Sequence, residues 1–388
     1  MADKIFFDHA SATPVNKEVL DEMQPFFSTH YGNPSSLHDF GQQAKDALEE
    51  ARSRVARLIG ASPEEIYFTS SGTESNNFAL FGLARALQSK GQHIISSSIE
   101  HISILNPLKE LKKMGWQYTL LPVDEYGLVD VKQLEKEIRE DTALITVMHA
   151  NNEVGTIQNI KDLAQIASSH DIVFHSDGVA TAGIIEVDVN QLGVDAYSVS
   201  SQQMYGPKGA AALYIRKGTR VKPFIIGGTQ ESGRRAGTEN VPAIVGFGKA
   251  AELAKAEMDK NKKHLTSLRD QLIEGITKSI KNVKLNGHPE QRLPGNVHFS
   301  FEYIEGESIL LLLNMEGIAA ASGSSCVSQA LKNSQVLLSM GISPTMAQGS
   351  VLFSLGKFNT EKEVLKTVEV LPPIIKKLRQ MSPLYKEE

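Results

Sequence analysis

From residue 40 to about 215 the chain alternates stretches of helical apolar spacing with short, nearly continuous apolar runs. This is the pattern of βαβ units whose parallel strands are buried on both faces. Ala44, Leu48, Ala51, Val55 and Leu58 recur at helical spacing and stop at Gly60, a residue suited to a left-handed C-terminal cap. Strands are predicted at Ile66 to Thr69, His93 to Ser96, Ala143 to Met148, Ile172 to His175, Ala196 to Ser200 and Ala210 to Ile215. Several follow charged, helix-like stretches such as Val131 to Ile138. Beyond Pro242 an Ala, Lys and Glu-rich stretch continues helically to about Lys281, bridging to a smaller α+β remainder. No repeat, low-complexity tract or Gly/Ser linker intervenes, which predicts closely packed domains.

Composition narrows the class. The 388 residues are 41% hydrophobic and 22% charged, enough for a sizeable core and two or three domains at ~150 residues each. Forty Lys plus Arg against forty-five Asp plus Glu leave a net charge of −5, so no nucleic-acid partner is expected. The Met-Ala-Asp-Lys start has no signal-peptide pattern, and runs such as Ala210 to Ile215 and Ile309 to Leu313 are too short to span a bilayer. No membrane partner and a cytoplasmic location are therefore expected. The single cysteine, Cys326, leaves no partner for an intrachain disulfide and excludes a multi-cysteine metal site.

Chemistry concentrates in a few segments. Ser70-Ser71-Gly72-Thr73-Glu74-Ser75-Asn76 follows a strand and opens a helix, so free backbone N–H groups and hydroxyls can seat a phosphate, or the run can simply cap the helix. Asp177 lies just after a predicted strand, where open α/β sheets place ligand groups; a carboxylate there can keep a pyridinium nitrogen protonated or can cap the next helix. His101 and Asn152 also follow strand-like runs. Gly227 to Thr238 is a Gly-rich loop carrying Arg234 and Arg235, readable as a surface turn. Ala321-Ser322-Gly323-Ser324-Ser325-Cys326 surrounds the thiol with small residues that leave it accessible.

Together these segments resemble the cysteine desulfurases, pyridoxal-phosphate (PLP) proteins of the class V aminotransferase group, over nearly the whole chain. The resemblance rests on Asp8 to Pro14, Tyr31 to Ser36 with His38, Gly72 to Asn76, Glu100-His101, Asn151 to Gly155, Asp177, Tyr205 to Gly209, Gly237-Thr238 and Gly323 to Cys326. It implies an α/β PLP-transferase fold of type I, with a mainly parallel seven-stranded sheet flanked by helices and a smaller α+β domain. The large domain is expected at 15–260, and the small domain at 1–14 with 261–388. It also implies a homodimer. Gly72, Thr73 and Ser200 would bind the cofactor phosphate, and Thr238 would reach in from the partner. His101 would stack on the ring, Asp177 would pair with the ring nitrogen and Asn152 would lie near ring and substrate. Asn33 would help to hold the substrate carboxylate, and Cys326 would accept sulfur.

The chain departs from the family where amino-acid chemistry is most demanding. The family's Ser-x-His-Lys reads Ser200-Ser201-Gln202-Gln203, so Gln203 stands at the Schiff-base lysine and Gln202 at the histidine. An amide nitrogen is not basic and cannot bond the cofactor covalently. Ala180 replaces a glutamine that touches the cofactor's phenolic oxygen, and Leu352 replaces an arginine that clamps the substrate carboxylate. A lysine-less, archaeal-type subgroup resembles the chain in these substitutions. It implies work with an iron-sulfur scaffold protein, no covalently bound cofactor, and Cys326 as sulfur carrier or as ligand of a shared [2Fe-2S] cluster. The rival expectation is an active desulfurase or related PLP enzyme that uses Lys208 or non-covalent PLP. A third is a structural partner that forms heterodimers with an active paralogue.

Overall fold

The computed structural model describes residues 4–322 and 333–385. A short N-terminal strand β1 (Ile5–Phe6) precedes the main sheet, formed by β2 (Ile66–Thr69), β3 (His93–Ser97), β4 (Gln117–Leu121), β5 (Thr142–Thr146), β6 (Val173–Asp177), β7 (Ala196–Ser200) and β8 (Ala211–Ile215). The seven strands lie in the order β2-β8-β7-β6-β5-β3-β4. Alternation along each strand feeds two cores. Ile95 and Ile145 face one, with Phe174, Tyr197 and Phe247, while their neighbours Ile94 and Leu144 face the other, with Phe78, Leu108 and Leu213.

Two features depart from the sequence reading. β8 was expected to be parallel but pairs antiparallel with both β7 and β2. Only residues 201–210 separate β7 from β8, and a parallel crossover needs a dozen or more residues. β4, absent from the predicted set, is an edge strand whose mixed Gln-Tyr-Thr-Leu-Leu sequence is mostly solvent-facing, so it lacks an apolar run.

The helix Val241–Ser279 runs out of this body into a second core, where Leu265, Leu268 and Leu272 meet Phe299, Phe353 and Leu371. There β9 (Val283–Leu285), β10 (Asn296–Phe301) and β12 (Ser350–Ser354) form an antiparallel sheet in the order β12-β10-β9. β11 (Ile318–Ala319) pairs with β1, and Ile5 and Phe7 are buried in this second core. Among the described residues no helix is long and apolar enough to cross a membrane.

A buried ion pair fixes the Gly-rich loop. Arg52 grips Glu231 through two hydrogen bonds of 2.7 and 2.8 Å, and Glu231 also accepts from the Phe68 backbone N–H at 2.7 Å. Glu231 and Ser232 both adopt left-handed backbone (φ +48° and +56°), a strained pair that this anchor holds in place. Glu231→Gln leaves Arg52 paired with Glu49 alone, at 3.0 Å, and is expected to destabilise the fold by about 1–3 kcal/mol. The shift in urea midpoint measures it, and a change under about 1 kcal/mol contradicts the assignment.

Candidate active site

The C-terminal ends of the parallel strands and the loops beyond them open into a cavity of 630 Å³. In an open α/β sheet this edge collects ligand groups, because the chain leaves each strand there to enter a loop or helix. Gly72, Thr73, His101, Asn152, Asp177 and Ser200 all line it, as do Ala180, Gln202, Gln203, Leu352 and Lys208. Asn33 does not; it is an exposed loop residue whose side chain accepts from the Ser35 N–H. Thr238 is exposed and lies outside the cavity of its own chain. Cys326 lies outside the described residues.

One wall is the start of the helix Gly72–Leu87. Ser71 caps it by accepting from the Glu74 N–H, which leaves the N–H groups of the first turn directed out of the helix end. A Cβ on Gly72 would meet Val179 Cγ2 at 2.5 Å, so only glycine lets the two loops approach this closely. Arg235 binds Glu74 of the same first turn at 2.8 Å, and Arg234 covers the Tyr67 ring at 4.6 Å. Neither arginine lines the cavity, so neither replaces a carboxylate clamp at Leu352.

Asp177 forms the floor at the end of β6 and is 6% exposed. Burial raises its pKa, opposed by hydrogen bonds from the Val179 N–H and the Asn76 amide and by nearby His101. The Asn76 amide nitrogen donates to Asp177 Oδ2 at 2.7 Å and to Ser103 Oγ at 2.8 Å, and Ser103 meets His101 Nδ1 at 2.7 Å. The Ser103 backbone N–H can only donate, and it points at the same Nδ1. Neutral His101 therefore carries its proton on Nε2. Asn76 and Ser103, which were given no role from the sequence, thus join the two assigned residues into one network. Their signal was positional: Asn76 lies one helical turn beyond Gly72, and Ser103 two residues beyond His101.

Gln203 places an amide, not an amine, in the cavity wall. Its amide nitrogen donates to the Ala10 carbonyl at 2.9 Å, and the Gln202 amide donates to Ser11 O at 3.1 Å. Both glutamines are engaged by the N-terminal loop that covers the cavity.

A second buried carboxylate stands behind Asp177. Glu100 Oε1 accepts from Ser97 Oγ at 2.5 Å and from the Met148 N–H at 2.9 Å, while Oε2 has no partner among the described residues. Burial pushes its pKa up to about 8. With the unfolded value near ~4.3, the native chain holds this proton where the unfolded chain has released it, so stability falls as pH rises between those values. Glu100→Gln mimics the protonated acid. Its thermal midpoint is expected to match the parent's near pH 5 and to exceed it above pH 8, by an energy of up to about 5 kcal/mol. Parallel pH profiles of the two proteins would refute the burial argument.

Pyridoxal phosphate fits most of this site. The first turn at Gly72 and Thr73 with Ser200 suits an anion, and Asp177 is a buried carboxylate that accepts from the Val179 N–H and the Asn76 amide and has no Lys or Arg ion pair among the described residues, so it suits a protonated ring nitrogen. Position 203 does not fit a covalent link. Fold and site together define an α/β protein of the class V aminotransferase type, and the aminotransferase class-V family model matches residues 5–366. Cysteine desulfurase IscS of Dictyoglomus turgidum is 51% identical over all of this chain and 98% of its own length. Cysteine desulfurase IscS 1 of Archaeoglobus fulgidus is 49% identical over 98% of this chain and 99% of its own. Among solved structures, a NifS-like protein superposes with a TM-score of 0.91 at 38% identity, covering 97% of this chain and all of that one. The chain belongs to the cysteine desulfurase family.

Proposed function

We propose that this chain handles sulfur for iron-sulfur cluster assembly, with pyridoxal phosphate seated without a covalent bond and Cys326 as sulfur carrier or ligand of a shared [2Fe-2S] cluster. The observation that carries this reading is Gln203, an amide hydrogen-bonded to Ala10 inside a cavity that Gly72, Thr73, Ser200 and Asp177 also line. When bound, the cofactor supplies an electron-withdrawing ring and an aldehyde carbon that reacts with amines. Gly72, Thr73 and Ser200 would hold its phosphate. Asp177 would keep the ring nitrogen protonated, Asn76 and Ser103 orient Asp177 and His101, and the His101 ring would stack on the cofactor ring. Asn152 lies beside the ring. No basic side chain stands at position 203 to move a proton from a bound amino acid.

A homodimer and an iron-sulfur scaffold protein are the proposed partners, and the cytoplasm the proposed location. Thr238 would serve the partner's cavity, and Asn33 a substrate shared across the dimer. Ile226, 83% exposed beside the loop that carries Thr238, is an apolar side chain that a partner there would cover.

An active desulfurase that uses Lys208 or non-covalently held PLP is the second reading. Lys208 lines the same cavity, and the relatives' names stand with this reading rather than the first. Sulfide release from L-cysteine, with PLP and a reductant added, separates the two. Steady turnover that is lost in Cys326→Ser would establish the second. Its absence, together with Cys326-dependent cluster formation on a scaffold protein, is the result expected for the first.

A further inference from the structure

Asp177 opens a turn, Asp177 to Thr181, whose Val179 and Ala180 also line the cavity. Tyr197 of β7 packs against this turn without reaching the cavity. It is fully buried, and a Cβ on Gly178 would meet its ring carbon Cζ at 2.0 Å. Only glycine at 178 lets the ring lie this close to the backbone. Two carbonyls of the turn are held by neighbouring residues: Asp177 O accepts from the His149 N–H at 2.9 Å, and Gly178 O accepts from the Thr181 N–H at 3.0 Å and the Thr181 hydroxyl at 2.9 Å. The Tyr197 hydroxyl joins these two holders, meeting His149 Nδ1 at 2.7 Å and Thr181 Oγ1 at 2.6 Å.

The proton positions follow from the end of this chain. A carbonyl only accepts, so Thr181 gives its one hydroxyl proton to Gly178 O. Tyr197 must then donate to Thr181, and His149 must donate from Nδ1 to Tyr197. Three protons fill three contacts in one direction, from His149 through Tyr197 and Thr181 to the backbone beside Asp177. Burial holds the His149 pKa down at about 4 and raises that of Tyr197, so both keep the neutral forms that the chain requires. A phenylalanine would fill the same core space. The hydroxyl, costly to bury unbonded, is accounted for by the chain that it completes.

We infer that Tyr197 is a positioning residue for Asp177, holding the turn so that the carboxylate meets the cofactor's ring nitrogen. This rests on the PLP-type seat proposed above and specifies what sets its ring end. The test uses 4′-deoxypyridoxine phosphate, which has the ring and the phosphate but no aldehyde, so binding involves no covalent step. Calorimetry on the full chain gives its affinity for the unmodified protein, Tyr197→Phe, Asp177→Asn and the double variant. Tyr197→Phe is expected to weaken binding about three- to tenfold in the unmodified background and less than about twofold in the Asp177→Asn background, because a group that acts through the Asp177 charge has nothing to position once that charge is gone. Thr181→Val cuts the same chain one link on and should give the same pattern, which keeps the test open where Tyr197→Phe does not fold. Equal losses in both backgrounds, as a general loosening of the fold would give, overturn the inference, and so does an unchanged affinity in Tyr197→Phe. Nitrogen NMR of the unmodified chain should find the His149 proton on Nδ1; a proton on Nε2 reverses the chain and overturns it as well. These outcomes leave the cofactor seat standing. Failure of the unmodified chain to bind the ligand overturns both.

Discussion

Replacing Gln203 by lysine is expected to make the chain retain pyridoxal phosphate through gel filtration and, after borohydride reduction, to carry it as a covalent mass increase on residue 203. The unmodified chain should release the cofactor under the same conditions. The amide of Gln203 already points into the cavity to reach the Ala10 carbonyl, so the longer lysine enters the same space without rebuilding the loop. Sulfide release from L-cysteine is a more demanding readout. A positioned base contributes ~10²–10⁴-fold, but Leu352 still offers no partner for the substrate carboxylate. The double variant Gln203→Lys with Leu352→Arg should therefore exceed Gln203→Lys alone by at least about tenfold in kcat/KM. If the unmodified chain already turns over L-cysteine as fast as Gln203→Lys, position 203 is not the limiting defect and the reading without desulfurase turnover fails.

Asp177→Asn separates cofactor binding from stability in opposite directions. Loss of the charged acceptor at the ring nitrogen should weaken pyridoxal phosphate binding about ten- to a hundredfold, the worth of a charge-assisted hydrogen bond of ~1.5–3 kcal/mol. The cofactor-free protein, in contrast, should become more stable at pH 8. Burial raises the Asp177 pKa in the folded chain, so the ionised form is disfavoured there, and its cost grows as pH climbs above the unfolded value of ~3.9. Asparagine removes the charge and keeps an acceptor for the Val179 N–H. Asn76, whose Oδ1 has no partner among the described residues, can turn its amide to face the new donor. Fluorescence titration and thermal unfolding of the cofactor-free protein measure the two effects. A drop in both affinity and stability would show that Asp177 is a structural cap rather than a cofactor group.

Much of the site was legible because strand ends announce themselves. Asp177 and Ser200 each close an apolar run, and at such ends in an open α/β sheet the backbone delivers side chains to one edge. The Gly72 motif was equally readable, since small residues between a strand and a helix leave donors free. Gly60 was placed by conformation alone: its φ of +70° is one that glycine adopts without strain. Asn76 and Ser103 were not legible as partners, because their contacts with Asp177 and His101 join segments up to 101 residues apart. The same holds for Glu231 and Arg52, which are 179 residues apart and whose pairing turned a loop read as a surface turn into an anchored one.

What the sequence by itself determined was the alternation of helices and buried strands, the family, and that position 203 carries an amide rather than an amine. These follow from residue type and local order, since an amide is not an amine wherever it lies. Only the tertiary structure decided that β8 runs antiparallel, that Arg234 and Arg235 lie outside the cavity, and that Tyr197 joins His149 to Thr181 beside the Asp177 turn. Those depend on which surfaces meet when distant segments pack, and packing responds to total shape and burial, which local patterns do not encode.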